Sequence, residues 1–151
     1  MNTAKRLKKL NWPYCSKKIS YSEKKRNNSH ACVATILFSC LIGTYLDLLF
    51  VSKQMYDFPV RPLPHIFTIN VAFTLLILPI FTLFFLRIVR TLPSFLKILF
   101  IILIGLCMSI SERFAEQLGW FTHSEAWHHS YSFFGYTIFM VLIWKFYRWF
   151  Q

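Results

Sequence analysis

Residues 94–119, SFLKILFIILIGLCMSISERFAEQLG, decide the fold. Ten consecutive residues from Ile98 to Cys107 carry no charge. A helix through them is apolar on every side, so it has no face to offer water and no place in a soluble amphipathic bundle. Pro93 and Ser94 suit a helix start, and Gly119 suits the residue just past its end. About 20 apolar residues cross the hydrocarbon of a bilayer. Residues 94–118 are therefore predicted to span a membrane.

Three more segments follow. Residues 31–52 (ACVATILFSCLIGTYLDLLFVS) and 66–86 (IFTINVAFTLLILPIFTLFFL) are apolar blocks of spanning length, and Pro79 predicts a kink in the second. Residues 130–150 end in Trp144, Phe146, Tyr147, Trp149 and Phe150, aromatics suited to a bilayer interface. The predicted fold class is all-α: a polytopic membrane protein with four transmembrane helices in residues 31–151, preceded by a basic arm in residues 1–30. Composition agrees: 56% of the 151 residues are hydrophobic and 15% charged, against about 25% charged in soluble domains.

Lysine and arginine divide 14 to 3 about these spans. The larger group lies before the first span, around the turn after the second (Arg87, Arg90, Lys97) and at the C-terminal end (Lys145, Arg148); the smaller is Lys53, Arg61 and Arg113. Cationic residues mark the cytoplasmic side. Both termini are thus predicted in the cytoplasm, with the chain in the plasma membrane. The long basic leader and the lack of an A-x-A site after the first span argue against a cleaved signal peptide.

The net charge of +11 raises the question of nucleic acid, but no nucleic-acid-binding motif accompanies it. In the arm, Lys5, Arg6, Lys8, Lys9, Lys17, Lys18, Lys24, Lys25 and Arg26 have anionic lipid headgroups as their nearer partner, at about 1 kcal/mol per cation near the surface. The same charges would also serve simply to fix topology. Cys15, Cys32, Cys40 and Cys107 form no C-x-x-C pair and read as small buried hydrophobes.

Ionisable residues inside the spans are the candidates for function, because such groups are costly in lipid and face the bundle interior. Helix rise places Asp47 about 9 Å and Asn70 about 8 Å below the outer boundary, with Glu116 at the interface and Glu112 about 6 Å deeper. Tyr136 falls at a similar depth. Glu112 and Glu116 are i,i+4 and share a face, and Arg113 is spaced to neutralise Glu116. Beyond them lie His123, Glu125, His128 and His129, with His65 on the same side. His65, Glu112, Glu116, His123, His128 and His129 are the candidate ligands of a divalent metal. An interhelical polar clamp and a proton or ion site are the competing readings of the same residues.

No G-x-S-x-G, H-E-x-x-H or G-x-x-x-x-G-K motif occurs. Ser109 and Ser111 are expected to bond to carbonyls of the preceding turn. Nothing calls for an organic cofactor. The stretch SERFAEQLGWF from Ser111, followed by Trp127 and Tyr131-Ser132, resembles a family of small, uncharacterised four- to five-helix membrane proteins of spore-forming Gram-positive bacteria. That resemblance implies a bacterial plasma membrane and no reaction. Three functions fit. The first is a non-enzymatic membrane component held by a polar clamp, acting as a homo-oligomer or in a larger complex. The second is a proton- or ion-coupled carrier or channel subunit using Asp47 and Glu112. The third is an outer-face metalloenzyme acting on lipid.

Overall fold

The computed structural model describes the backbone of residues 21–125 and 127–151, and side chains from Asn27 on. It is the expected all-α architecture, with helices α1 (Tyr21–Ser52), α2 (Leu78–Val89), α3 (Ser94–Gln117) and α4 (His129–Trp149). To these it adds a short antiparallel ribbon of β1 (Tyr56–Asp57) and β2 (Thr122–His123). The arm positions Lys5, Arg6, Lys8, Lys9, Lys17 and Lys18 lie outside the described residues. Lys24, Lys25 and Arg26 fall in the first turns of α1, which begins well before residue 31.

Among the described residues two helices, rather than four, are long and apolar enough by themselves to cross a membrane: residues 27–52 of α1, and α3. The expected segment at 66–86 starts late because residues 66–70 are not helical. Asn70 Oδ1 accepts the Phe73 N–H at 3.2 Å, so this asparagine caps the helix start instead of lying within a span. The apolar helical run is consequently only Phe73–Val89. In α4 the length is sufficient at 21 residues, but His129, Tyr131 and Ser132 at one end and Lys145 and Arg148 at the other dilute its apolar character.

The expected kink at Pro79 takes the form of a π-helical turn over Phe73–Ile77, closed by the Leu78 N–H reaching Phe73 O. Proline has no N–H for the carbonyl four residues back and its ring crowds that group, which a widened turn relieves. At the end of α3 the expectation for Gly119 holds. Its φ is +73°, its N–H meets Glu116 O at 2.9 Å, and the Trp120 N–H meets Ala115 O at 2.8 Å. These paired bonds form a Schellman cap, whose left-handed residue favours glycine.

Helix α1 packs on α2 and α4, and α4 packs on α3; the stacked Phe85 and Phe100 rings, 6.1 Å apart, bridge α2 to α3. The core between the helices is filled by Phe85, Leu86, Met140, Ile143 and Tyr147, with small and hydroxylated residues beside them. Ala31, Thr35 and Ser39 are buried along α1 at four-residue spacing, and Thr82 Oγ1 donates to Ser39 Oγ at 2.9 Å. Gly105 and Ser109 are buried on α3. A second set of large apolar residues points outward: Leu37, Leu41, Ile80, Phe84, Ile98, Leu103, Ile138 and Leu142 are all exposed.

The two ends of the bundle differ. Gln151 Nε2 donates to Asn28 Oδ1 at 3.2 Å, bringing the end of α4 beside the start of α1. At that end Arg90 lies over the Tyr147 ring and Lys97 over the Trp144 ring, at 5.6 and 4.8 Å. The β ribbon closes the other end, pairing Tyr56 with His123 and Asp57 with Thr122.

Candidate functional site

Ile101, Gly105, Ser109 and Glu112 recur at helical spacing on the buried face of α3. Glu112, only 8% exposed, is the last of this row and the one that carries charge. Its partners come from α4 and the segment before it. Ser132 and Tyr136, four residues apart and so on one helix face, donate to Oε1 at 2.6 Å and to Oε2 at 3.2 Å. Trp127 Nε1 lies 3.4 Å from Oε1 and also donates to Ser132 Oγ at 3.1 Å. Ser109 Oγ donates to His129 O at 3.1 Å, fixing the first turn of α4 against α3. Its bond is interhelical, unlike the local one expected; Ser111 does bond locally, to Cys107 O at 2.9 Å.

Asp47 approaches from α1. Tyr56 Oη donates to its Oδ1 at 2.8 Å, while Oδ2 is buried with no hydrogen-bond partner. Tyr56 is delivered by β1 and held among the rings of Phe50, Phe121 and Trp127, at 5.8, 5.2 and 5.4 Å. Burial first, then the Asp47 carboxylate, then Tyr136 and Glu112 hold the Tyr56 phenol far above the ordinary tyrosine range. Asp47 and Glu112 are thus linked through Tyr56 and Trp127, whose rings lie 5.4 Å apart.

One turn beyond Glu112, Glu116 faces two imidazoles. His123 Nδ1 stands 2.6 Å from Glu116 Oε1, and His129 Nε2 stands 3.5 Å from Oε2. His129 Nδ1 is 3.6 Å from Glu112 Oε1. Glu116, His123 and His129 each present a ligand atom within 4.8 Å of the others, so they could hold a metal.

Other candidates do not join. Asn70 is a helix cap. Arg113 is exposed, and the ion partners of Glu116 are the histidines instead. His65, Glu125 and His128 are also exposed, and His128 packs against Tyr131 with ring centres 5.5 Å apart. Cys32, Cys40 and Cys107 are free thiols but not the buried hydrophobes expected, since Cys32 and Cys40 are half-buried and Cys107 is exposed; Cys15 lies outside the described residues. The residues that sequence reasoning missed are Tyr56, Trp127 and Ser132. The last two had a signal, since both belong to the stretch that carried the family resemblance. An open groove of about 420 Å³ abuts the ribbon, lined among others by Asp57, Arg61, Thr122, His123 and Ser124. Arg61 braces its wall through Asp57 Oδ1 (3.2 Å), Phe58 O (2.6 Å) and Phe67 O (2.9 Å).

Comparison with family models, curated proteins and solved structures finds no match for the chain.

Proposed function

We propose that the chain is a four-span plasma-membrane protein with both termini in the cytoplasm, and that it is a non-enzymatic component of a membrane assembly. Its working part is an intramembrane clamp centred on Glu112. The observation that carries this reading is the closure of Glu112 by Ser132, Tyr136 and Trp127. A carboxylate at a helix centre costs about 2.5–3.5 kcal/mol on insertion scales, less toward the interface. Donors that surround it offset that cost only when α3, α4 and the ribbon are docked, so the acid makes the docked arrangement the favoured one. Small seams and an apolar exterior support the membrane setting, because lipid gives no hydrophobic drive and association falls to close packing and hydrogen bonds.

The test is the stability of the detergent-solubilised chain. Glu112→Gln should lower the thermal midpoint and weaken any self-association, with about 1–3 kcal/mol lost. A variant as stable and as associated as the parent would refute the clamp. One observation favours the carrier reading as a second: Asp47 Oδ2, buried without a hydrogen bond. Proton or cation flux in liposomes that disappears in Asp47→Asn would establish it.

A further inference from the structure

We propose that Glu116, His123 and His129 bind a divalent metal ion of the zinc class, which ties the ribbon to the paired ends of α3 and α4. Each ligand comes from a different element: Glu116 from α3, His123 from β2 and His129 from α4. Two imidazole nitrogens and a carboxylate oxygen form a familiar zinc donor set, with a fourth position left for water. The absence of a thiolate from the set disfavours softer ions.

The geometry fits this reading. Ligands held at about 2.0–2.1 Å around a tetrahedral ion lie about 3.3 Å apart. Here His123 Nδ1 is 2.6 Å from Glu116 Oε1 and His129 Nε2 is 3.5 Å from Oε2, and one ligand atom from each residue lies within 4.8 Å of the others, so side-chain rotations would draw the three onto one ion. Buried polar atoms almost always have a hydrogen bond, and an ion is one explanation where they do not. His123 Nδ1, the ligand atom proposed here, is buried without one, although Glu116 Oε1 stands 2.6 Å away. If His129 binds through Nε2, its Nδ1 faces Glu112 Oε1 at 3.6 Å. A ligating histidine commonly has such a carboxylate behind it, orienting the ring. His123 also lines the open groove, which gives an ion a path in.

The site stands beside the clamp without resting on it, since the carboxylate ligand is Glu116. The test is metal titration of the full-length chain, purified in detergent and stripped of metal, with Zn2+ and with Co2+. One ion should bind per chain, and X-ray absorption should report two imidazoles and no sulfur. His123→Ala and His129→Ala should each weaken binding by at least about 100-fold. His65→Ala and His128→Ala should leave it unchanged. Glu112→Gln should cost no more than about tenfold, so loss of the clamp and loss of the metal are separable. Binding no better than background overturns the proposal, as does binding indifferent to both histidine variants. Should those variants fail to fold, the X-ray absorption spectrum of the parent decides: fewer than two imidazoles about the ion overturns it.

Discussion

Ser132 and Tyr136 donate to different oxygens of the Glu112 carboxylate, one to each. Removing either donor leaves a buried charged acceptor short of a partner, which costs more than the hydrogen bond itself was worth. Tyr136→Phe and Ser132→Ala are each expected to destabilise the protein by about 1–2 kcal/mol, with Ser132→Ala the larger because Trp127 Nε1 also loses an acceptor. In double-mutant cycles with Glu112→Gln, both should show coupling of about 0.5–2 kcal/mol. Purely additive effects would mean the contacts carry no energy. Residue type and depth were enough to single out Glu112, Glu116, Tyr136, His123 and His129 from the sequence. Trp127 and Ser132 stood out in the sequence only as part of the stretch that carried the resemblance; their role as donors to Glu112 was not legible, because the course of the loop before α4 sets it. Asn70 misled for a local reason. Counting its depth assumed a helix already running at residue 66, whereas an asparagine with a free N–H three residues on is better used as a cap.

At the scale of elements, α3 and α4 come together over Gly105. A Cβ there would collide with Thr137 Oγ1 and lie 3.3 Å from Phe133 O. Neither neighbour yields easily, since one is backbone and the other is a β-branched side chain whose hydroxyl already donates to Phe133 O at 2.8 Å. Gly105→Ala should therefore force the helices apart and cost about 1–3 kcal/mol. Gly43 on α1 offers the control. A Cβ there meets Leu78 Cδ2 at 2.5 Å, the movable end of a flexible side chain, so Gly43→Ala should cost clearly less. Thermal unfolding of the two variants in the same detergent checks the order, and a reversed order would refute the close-packed α3–α4 seam. Helix existence was plain in the sequence because long apolar runs have few alternatives. The π turn before Pro79 and the ribbon were not, since two-residue strands leave no alternation to read and a π turn differs from an α turn only in which carbonyl is reached.

For the whole molecule, the ribbon bears on topology more strongly than hydropathy does. By length and composition only α1 and α3 qualify as spans among the described residues. Yet β1 precedes α2 and α3, and β2 follows them, and the two strands are hydrogen-bonded partners. In a bilayer both would lie on one side, so an even number of crossings would separate residue 57 from residue 122. If α3 crosses, the shorter apolar run Phe73–Val89 must cross as well. At about 26 Å it falls slightly short of the roughly 30 Å hydrocarbon, a mismatch that local thinning or snorkelling of Arg87 and Arg90 accommodates. The same logic extends to α4, because Gln151 bonds to Asn28 and the end of the fourth helix must return to the side where the first begins. Single cysteines placed at Val60, Thr91, Glu125 and Gln151, in a chain whose four native cysteines are replaced by alanine, separate the possibilities. Four spans with both termini inside predict labelling of intact cells by a membrane-impermeant maleimide at 60 and 125 only. Two spans, through α1 and α3, predict labelling at 60 and 91 and would require the ribbon to be torn apart. Label at both 60 and 91 in intact cells would therefore overturn the four-span topology and the ribbon pairing together.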